Sequence, residues 1–429
     1  MTQPDPHPDL TFATFRVGDP GPDAGDERVG GWIDAQRRGF HQGRGDEALH
    51  RHYRTHLHAD DALLRGAWET RPALGSGAVP VATYASFDKD LNVGARRLPV
   101  RMITDVTVAA THRRRGLLRR LISADLAEAA AAGLPLAALT VSEGTIYGRF
   151  GFGLAVEARE VEVDTGTRFR LRGTPPGTTV IVDPREGWPT VRGVFDAFHD
   201  RGRGSIARPQ FYEPMLTGDH DFENGGPDRM LQCAVHLGAD GRPDGHVVYK
   251  PEGRDDRGRQ VRVVDLVAVT PEAYLALWRH LADVDLVASV RWRRAPVDDP
   301  LPWALVDPFA VKVVGVSDAL WVRVLDVVAA LEGRDWGADG EVVLGVDDPL
   351  GHAGGHWRVT TRGGEARVEP TDAPATVSLA AETLGAHYLG GVRTPVLAAA
   401  GRLTGADDAL ATWAAMADTG PTPWCLTGF

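Results

Sequence analysis

Two stretches of this chain superpose when aligned on Asp105 and Asp265: ITDVTVAATHRRRGLLRRLI lies over VVDLVAVTPEAYLALWRHLA. Each holds an apolar strand, a short turn and an amphipathic helix in the same register, so one structural unit occurs twice. A repeated strand-turn-helix unit predicts α/β layering, because a strand that feeds straight into a helix must be covered by it. The two copies differ at the turn. Ala273, Tyr274, Leu275 and Ala276 stand where the first copy has Arg113, Arg114, Arg115 and Gly116. An anion held by the first turn should therefore find no counterpart in the second.

The surroundings of the first copy read as paired elements. Residues 79–109 alternate like two strands with turn chemistry at Asn92 and Gly94. Beyond Arg115, Leu118, Leu121, Ile122, Leu126 and Ala129 recur at helical spacing, and Gly133 with Pro135 marks the stop. LPLAALTVS predicts a short buried strand and EGTIYGRFGFG a turn that closes in glycines. Past residue 312 the character changes. DALWVRVLDVVAALEG predicts an amphipathic helix, EVVLGVDD and HWRVTTRGGEARVEP predict strands with a Gly-Gly hairpin, and ATVSLAAETLGAHYLGG and ADDALATWAAMADTG predict helices. The expected units are residues 1–158, 159–311 and 312–429. No low-complexity linker separates them, which predicts domains packed together.

Composition removes several functional classes. The 429 residues contain no apolar run of eighteen, and MTQPDPHPDL is neither basic nor apolar. No membrane span or signal peptide is expected, and the default compartment is the cytoplasm. With only Cys233 and Cys425, a disulfide framework or a cysteine-ligated metal is not expected. A formal charge of −11 argues against nucleic acid as a partner and favours cationic substrates.

Within this acidic chain, THRRRGLLRR places five arginines in ten residues where a strand turns into a helix. Backbone amides at a helix start, with the helix dipole behind them, make an anion site, and arginines add bidentate contacts to phosphate oxygens. Arg113 to Leu118 thus suits a pyrophosphate. Neither GxxxxGK[ST] nor GxGxxG after a strand is present. A solvated helix face formed by Arg115, Arg119 and Arg120 is the plainer alternative.

VTVAATHRRRGLL resembles the acyl-CoA-binding loop of the GNAT superfamily of N-acyltransferases, fitting its pattern at Arg113 and Gly116 and departing at Leu118. IYGRFGF adds the family's tyrosine, Tyr147, ahead of the pair Gly151 and Phe152. Together with the degenerate second copy, a third part similar to sterol carrier proteins and the ending PWCLTGF, nearly the whole chain resembles the enhanced intracellular survival (Eis) acetyltransferases. The resemblance implies two tandem GNAT-like α/β domains, with mixed central sheets and flanking helices, and a sterol-carrier-like α+β domain.

It also implies that acetyl-CoA is the co-substrate and that no metal is used. The pantetheine arm would lie along Val106, Thr107 and Val108. The pyrophosphate would sit on Arg113, Arg114, Arg115, Gly116, Leu117, Leu118 and Arg119, with Ser142 and Glu143 on the other side. Tyr147 would be the general acid, since phenol and thiol differ by only roughly one to two pKa units. Implied acceptors are amines of cationic compounds, including aminoglycosides, polyamines or lysine side chains, and the implied assembly is a homohexamer. The rival from another class is a lipid or sterol carrier whose GNAT half is not catalytic.

Trp424, Cys425, Leu426 and Phe429 end the sequence without a polar extension, which predicts a packed tail. Burial would make an α-carboxylate there a better base. The residues alone read the tail as packing; the resemblance assigns the Phe429 carboxylate as general base. His52 and His56 are spaced i, i+4 in HRHYRTHLH, but without an HExxH carboxylate they read as part of a solvated helix. His352 and His356 read as loop residues, Asp265 as a strand-edge residue and Cys425 as a small buried hydrophobe.

Overall fold

The computed structural model describes residues 6–18, 27–141, 143–222 and 224–429. Among these, one sheet of twelve strands dominates. Its strands are β1 (Leu10–Arg16), β2 (Leu63–Glu69), β3 (Ala82–Asn92), β4 (Arg97–Val108), β5 (Leu136–Leu139), β6 (Gly153–Asp164), β7 (Thr178–Val182), β8 (Gln232–Leu237), β9 (Pro243–Asp255), β10 (Gly258–Ala268), β11 (Val287–Ala295) and β12 (Val311–Val324). The helices that frame the site are α1 (Glu27–Gly39), α2 (Glu47–Ala59), α3 (Leu117–Ala131), α4 (Pro184–His199), α5 (Tyr212–Thr217) and α6 (Pro271–Ala282).

The strand order shows the duplication. Outward from a central pair, β12 and β6, it runs β5, β4, β3, β2, β1 on one side and β11, β10, β9, β8, β7 on the other. Each half contains one parallel pair, β4 with β5 and β10 with β11, bridged by α3 and α6 respectively. The two central strands are shared. β6 comes from the first half, β12 from the second, and their antiparallel pairing runs from Gly153 against Val322 to Val163 against Val311.

The boundaries expected at 158/159 and 311/312 fall inside these shared strands. Residues 318–324, expected to be helical, instead end β12 and pair with β5, Trp321 with Leu139 through Val324 with Leu136. Ala319 to Val324 are buried without interruption, so the stretch suits a strand covered on both faces. The helix starts only after Asp326, whose carboxylate accepts from the Ala329 amide, and covers Val327–Gly333.

The third domain has a five-stranded sheet. Its strands are β13 (Gly340–Asp347), β14 (Gly355–Arg362), β15 (Glu365–Pro370), β16 (Val377–Ala380) and β17 (Leu403–Gly405), in the order β15-β14-β13-β16-β17. Gly363 and Gly364 turn the expected hairpin, both at positive φ. Val377–Ala380, expected to begin a helix, pairs with β13 instead, and the helix follows as Ala381–His387. This helix rests on the long sheet's backbone. A Cβ on Gly385 would stand 2.1 Å from the Val322 oxygen, and one on Gly153 2.0 Å from the Glu382 oxygen. Buried Arg323 of β12 pairs with Asp348 at 2.5 Å across the same junction. No helix among the described residues is long and apolar enough to cross a membrane.

Candidate active site

β4 and β5 run parallel only from Val100 with Leu136 to Ile103 with Leu139, and then part. Past that point β4 bulges: Thr104 faces Ala85 of β3, but Thr107 already faces Thr83. Asp105 lies at the bulge with φ 53. From there to Val108 the strand pairs with β3 on one edge and, among the described residues, has no strand on the edge toward β5. A ligand with amide groups can supply the missing partner.

The arginine turn follows. Ala110–His112 forms a 3-10 turn, Arg114 takes φ 63 and Gly116 φ 81, and α3 begins at Leu117. Left-handed positions within a turn are the backbone conformation of anion-binding nests of amides. A Cβ on Gly116 would meet nothing within 4 Å, so the approach to these amides is open. These features fit a pyrophosphate, and the cleft fits the pantetheine of acetyl-CoA.

α3 is held in place by Asp125, a buried carboxylate among its apolar positions. Arg65 and Arg101 reach it at 2.8 and 2.7 Å, and the hydroxyls of Tyr84 and Ser86 donate to it at 2.8 Å each. Burial, and next the charge of this carboxylate, pushes the Tyr84 phenol well up. The sequence reading passed over Asp125, although a lone acid in a buried helical stripe signals such a network.

The arginines divide by role. Arg115 is paired with Asp9 at 2.6 Å, which lowers the Asp9 carboxyl, and the Arg120 guanidinium stacks 3.8 Å from the Phe12 ring centre. Arg113, Arg114 and Arg119 are exposed and have no ion pair among the described residues. Leu117 is buried in the core, and half-buried Leu118 lines the cleft.

The cleft opens into a cavity of about 1010 Å³. Val106, Thr107, Val108 and the whole arginine turn line it, together with Glu143, Tyr147 and Phe429. Ser142 lies outside the described residues. Sequence reading missed Asp105, Thr140, Arg149 and the end of α1, where Gly39, Phe40 and His41 form a wall. No protein group accepts from the Tyr147 hydroxyl among the described residues. Burial, and next the charge of Glu143, pushes that phenol up to about 12.

Phe429 reaches the cavity along a tail fixed at successive points. The Trp424 amide and indole donate to the oxygens of Arg203 and Arg294, at 2.9 and 2.8 Å. The Thr427 hydroxyl donates to the Ile206 oxygen at 2.8 Å, and the Gly428 amide to the Tyr212 hydroxyl at 2.8 Å. Thr140, one residue past β5, then donates to a Phe429 oxygen at 2.6 Å. Cys425 is fully buried, with its thiol pushed up by that burial.

The second copy of the turn is closed. Thr270 caps α6 by accepting from the Ala273 amide at 3.1 Å, and Ala273 and Tyr274 are buried. Tyr274 donates to Asp299 at 2.8 Å. Leu426 of the tail fills this half's core with Val261, Val290 and Trp292. Asp265, expected at a strand edge, is instead buried and paired with Arg208 at 2.5 Å and His246 at 2.8 Å. Burial alone would raise its carboxyl, but these partners outweigh it and hold the group well below the carboxylate range.

The expected solvated face of α2 is also corrected. His52 stacks on His220 with ring centres 4.4 Å apart, and His56 packs edge-on against Phe211 and Phe222. Burial depresses His56 to about 3, so it packs as a neutral ring. No group of three or more His, Cys, Asp or Glu suited to a metal occurs among the described residues.

Parallel strands that part over an arginine turn, in a duplicated α/β sheet, define a GNAT-type N-acetyltransferase. Profiles of the acetyltransferase (GNAT) domain match residues 23–155 and 204–324, and that of the sterol carrier protein domain matches 327–426. An uncharacterized N-acetyltransferase of Streptomyces avermitilis is 38% identical over 358 residues, covering 80% of this chain and 85% of that protein. The N-acetyltransferase Eis of Mycobacterium tuberculosis is 37% identical over 360 residues, covering 80% and 84%. The crystal structure of Eis1 from Mycobacterium abscessus superposes with a TM-score of 0.79 at 27% identity, over 98% of this chain and 100% of that one. The chain belongs to the Eis family of N-acetyltransferases.

Proposed function

We propose that this chain acetylates amines of cationic acceptors, among them aminoglycosides, polyamines or lysine side chains, by direct transfer from acetyl-CoA. Tyr147 serves as general acid and the terminal carboxylate of Phe429 as general base. The observation that carries this reading is the shared cavity: the arginine turn, Tyr147 and Phe429 line it together. The acidic excess of the chain supports a cationic acceptor.

Bound in the cleft, acetyl-CoA supplies an acetyl group activated as a thioester. Val106 and Val108 offer backbone groups to the pantetheine arm, and the turn from Arg113 to Arg119 receives the pyrophosphate. The carboxylate of Phe429, oriented by Thr140, removes a proton from the attacking amine. Tyr147 remains protonated across the physiological range, and its hydroxyl, which has no protein acceptor among the described residues, would donate to the departing sulfur. Full transfer to a thiolate of pKa about 8.5 is uphill by some three to four units, so the phenol assists chiefly by hydrogen bonding as charge develops.

Tyr147→Phe is expected to lower kcat in a thiol-release assay about ten- to hundred-fold, with the KM for acetyl-CoA unchanged. An unchanged kcat would remove the tyrosine from the mechanism. We also propose a homohexamer. Trp303, Phe309, Val313, Val314 and Val316 stay exposed on a single chain, apolar side chains suited to burial between subunits. Light scattering should return six times the 46.2 kDa chain mass, and a monomer would refute it.

A further inference from the structure

The two copies of the repeated unit place a carboxylate at the same point, beside a bulge in the strand that precedes the helix: Asp105 in β4 and Asp265 in β10. The second copy shows what such a carboxylate takes when the protein supplies it. Arg208 pairs with Asp265 at 2.5 Å, and its guanidinium is seated over the rings of Phe195 and Tyr212, 3.9 and 4.4 Å from their centres. His246 adds a second contact at 2.8 Å.

Asp105 has no such partner. Among the described residues its carboxylate accepts from one neutral group, the Gln36 amide of α1 at 2.8 Å. The same residue lines the cavity that holds Tyr147, Phe429 and the open edge of β4. A half-buried carboxylate with no cation beside it is less favourably placed than a paired one, and a ligand cation entering the cavity supplies the partner. Consistent with that, burial raises the Asp105 carboxyl to about 6, against the opposing effect of the Gln36 hydrogen bond. Asp105 also holds φ 53, a conformation that aspartate and asparagine tolerate better than most residues.

We propose that Asp105 is the counter-ion for an ammonium group of the acceptor, so that the substrate brings to the first domain the cation that Arg208 supplies in the second. The inference rests on reading the cavity as the acceptor site. It adds a specificity determinant: acceptors with a second cationic nitrogen, held by Asp105 while another amine reacts, should outcompete monoamines. The titratable and charged groups around Asp105 are Tyr53 of α2, whose phenol its charge helps to raise, and, on the same cavity, His41, His112, Glu143, Tyr147, the Phe429 terminus, Arg149 and the arginine turn.

The test is calorimetric titration of spermidine into the full chain saturated with coenzyme A, comparing wild type with Asp105→Asn. The expected result is a Kd about ten- to hundred-fold higher in the variant, with coenzyme A affinity unchanged. Wild-type affinity should weaken as pH falls through about 6, where Asp105 gains its proton, and the variant should lack that limb. Gln36→Met, which removes the one hydrogen bond that lowers the carboxyl, should shift the limb to higher pH; this arm remains informative if Asp105→Asn folds poorly. Equal spermidine affinity in wild type and Asp105→Asn would overturn the proposal. So would a lower kcat at unchanged Kd, which would make Asp105 part of the chemistry. Wild type that acetylates amines yet shows equal affinities loses only the counter-ion; wild type that binds coenzyme A but acetylates no amine loses the acceptor reading too.

Discussion

Deleting Phe429 lowers kcat for amine acetylation by about 10²- to 10⁴-fold, the range of a positioned general base, and leaves acetyl-CoA binding intact. The new terminus, at Gly428, falls one residue short, about 3.5 Å of extended chain, and loses the Thr140 hydroxyl that orients it. Everything upstream keeps its anchors, because Trp424, Thr427 and Gly428 are bonded in turn to Arg294 of β11, to Ile206 and to Tyr212 of α5. The arginine turn, which holds acetyl-CoA in this scheme, is fixed by a different set of contacts around α3. Steady-state thiol release separates the two effects: a large loss in kcat with the acetyl-CoA KM unchanged supports the terminal carboxylate as base. Turnover within a few-fold of wild type would reduce the tail to packing.

Asp125→Ala produces the largest loss of stability, about 3–5 kcal/mol. The substitution leaves Arg65 and Arg101, both buried, facing a cavity where their shared carboxylate had been, and strips an acceptor from Tyr84 and Ser86. Glu128 and Asp88 remain as outer partners, at 2.6 and 2.5 Å, but both are about half exposed and cannot compensate inside. The informative comparison adds Arg65→Met and Arg101→Met to the substitution. Removing the whole buried cluster takes the uncompensated charge with it, so thermal denaturation of the triple variant should recover much of the loss. A single variant as stable as wild type would show that the network contributes little to holding α3.

The sequence made one half of each structural relation visible. The duplicated unit was legible because both copies keep a strand period and a helix period in the same register, and the closed second turn followed from its lost arginines. β12 was not legible as a strand. LWVRV carries only one charge, Arg323, among apolar residues, so it suits a buried strand as well as a helix, and its partner Leu136–Leu139 lies far upstream. Asp105 and Asp265 were aligned correctly, but a carboxylate's meaning depends on its neighbours. Arg208, which neutralises Asp265, sits 57 residues away in sequence, and no local pattern predicts it. Phe429 came forward only through the family resemblance, since from composition alone its tail is a packed end. Its distance from Thr140 in sequence, 289 residues, places their meeting beyond any periodicity.

The shared central pair carries a consequence for how the molecule comes into being. β5 has no neighbour on its far side until Trp321–Val324 arrive, yet it is complete by residue 139. At roughly 5–20 residues per second of synthesis, the first half of the sheet waits on the order of tens of seconds with an open edge. An apolar strand left unpaired for that time is a target for wrong partners, including the same strand on a neighbouring nascent chain. The design ties the enzyme's first half to its second. A truncated chain that stops short of β12 exposes that edge permanently and should aggregate, while a complete one seals it and only afterwards brings Phe429 to the cavity.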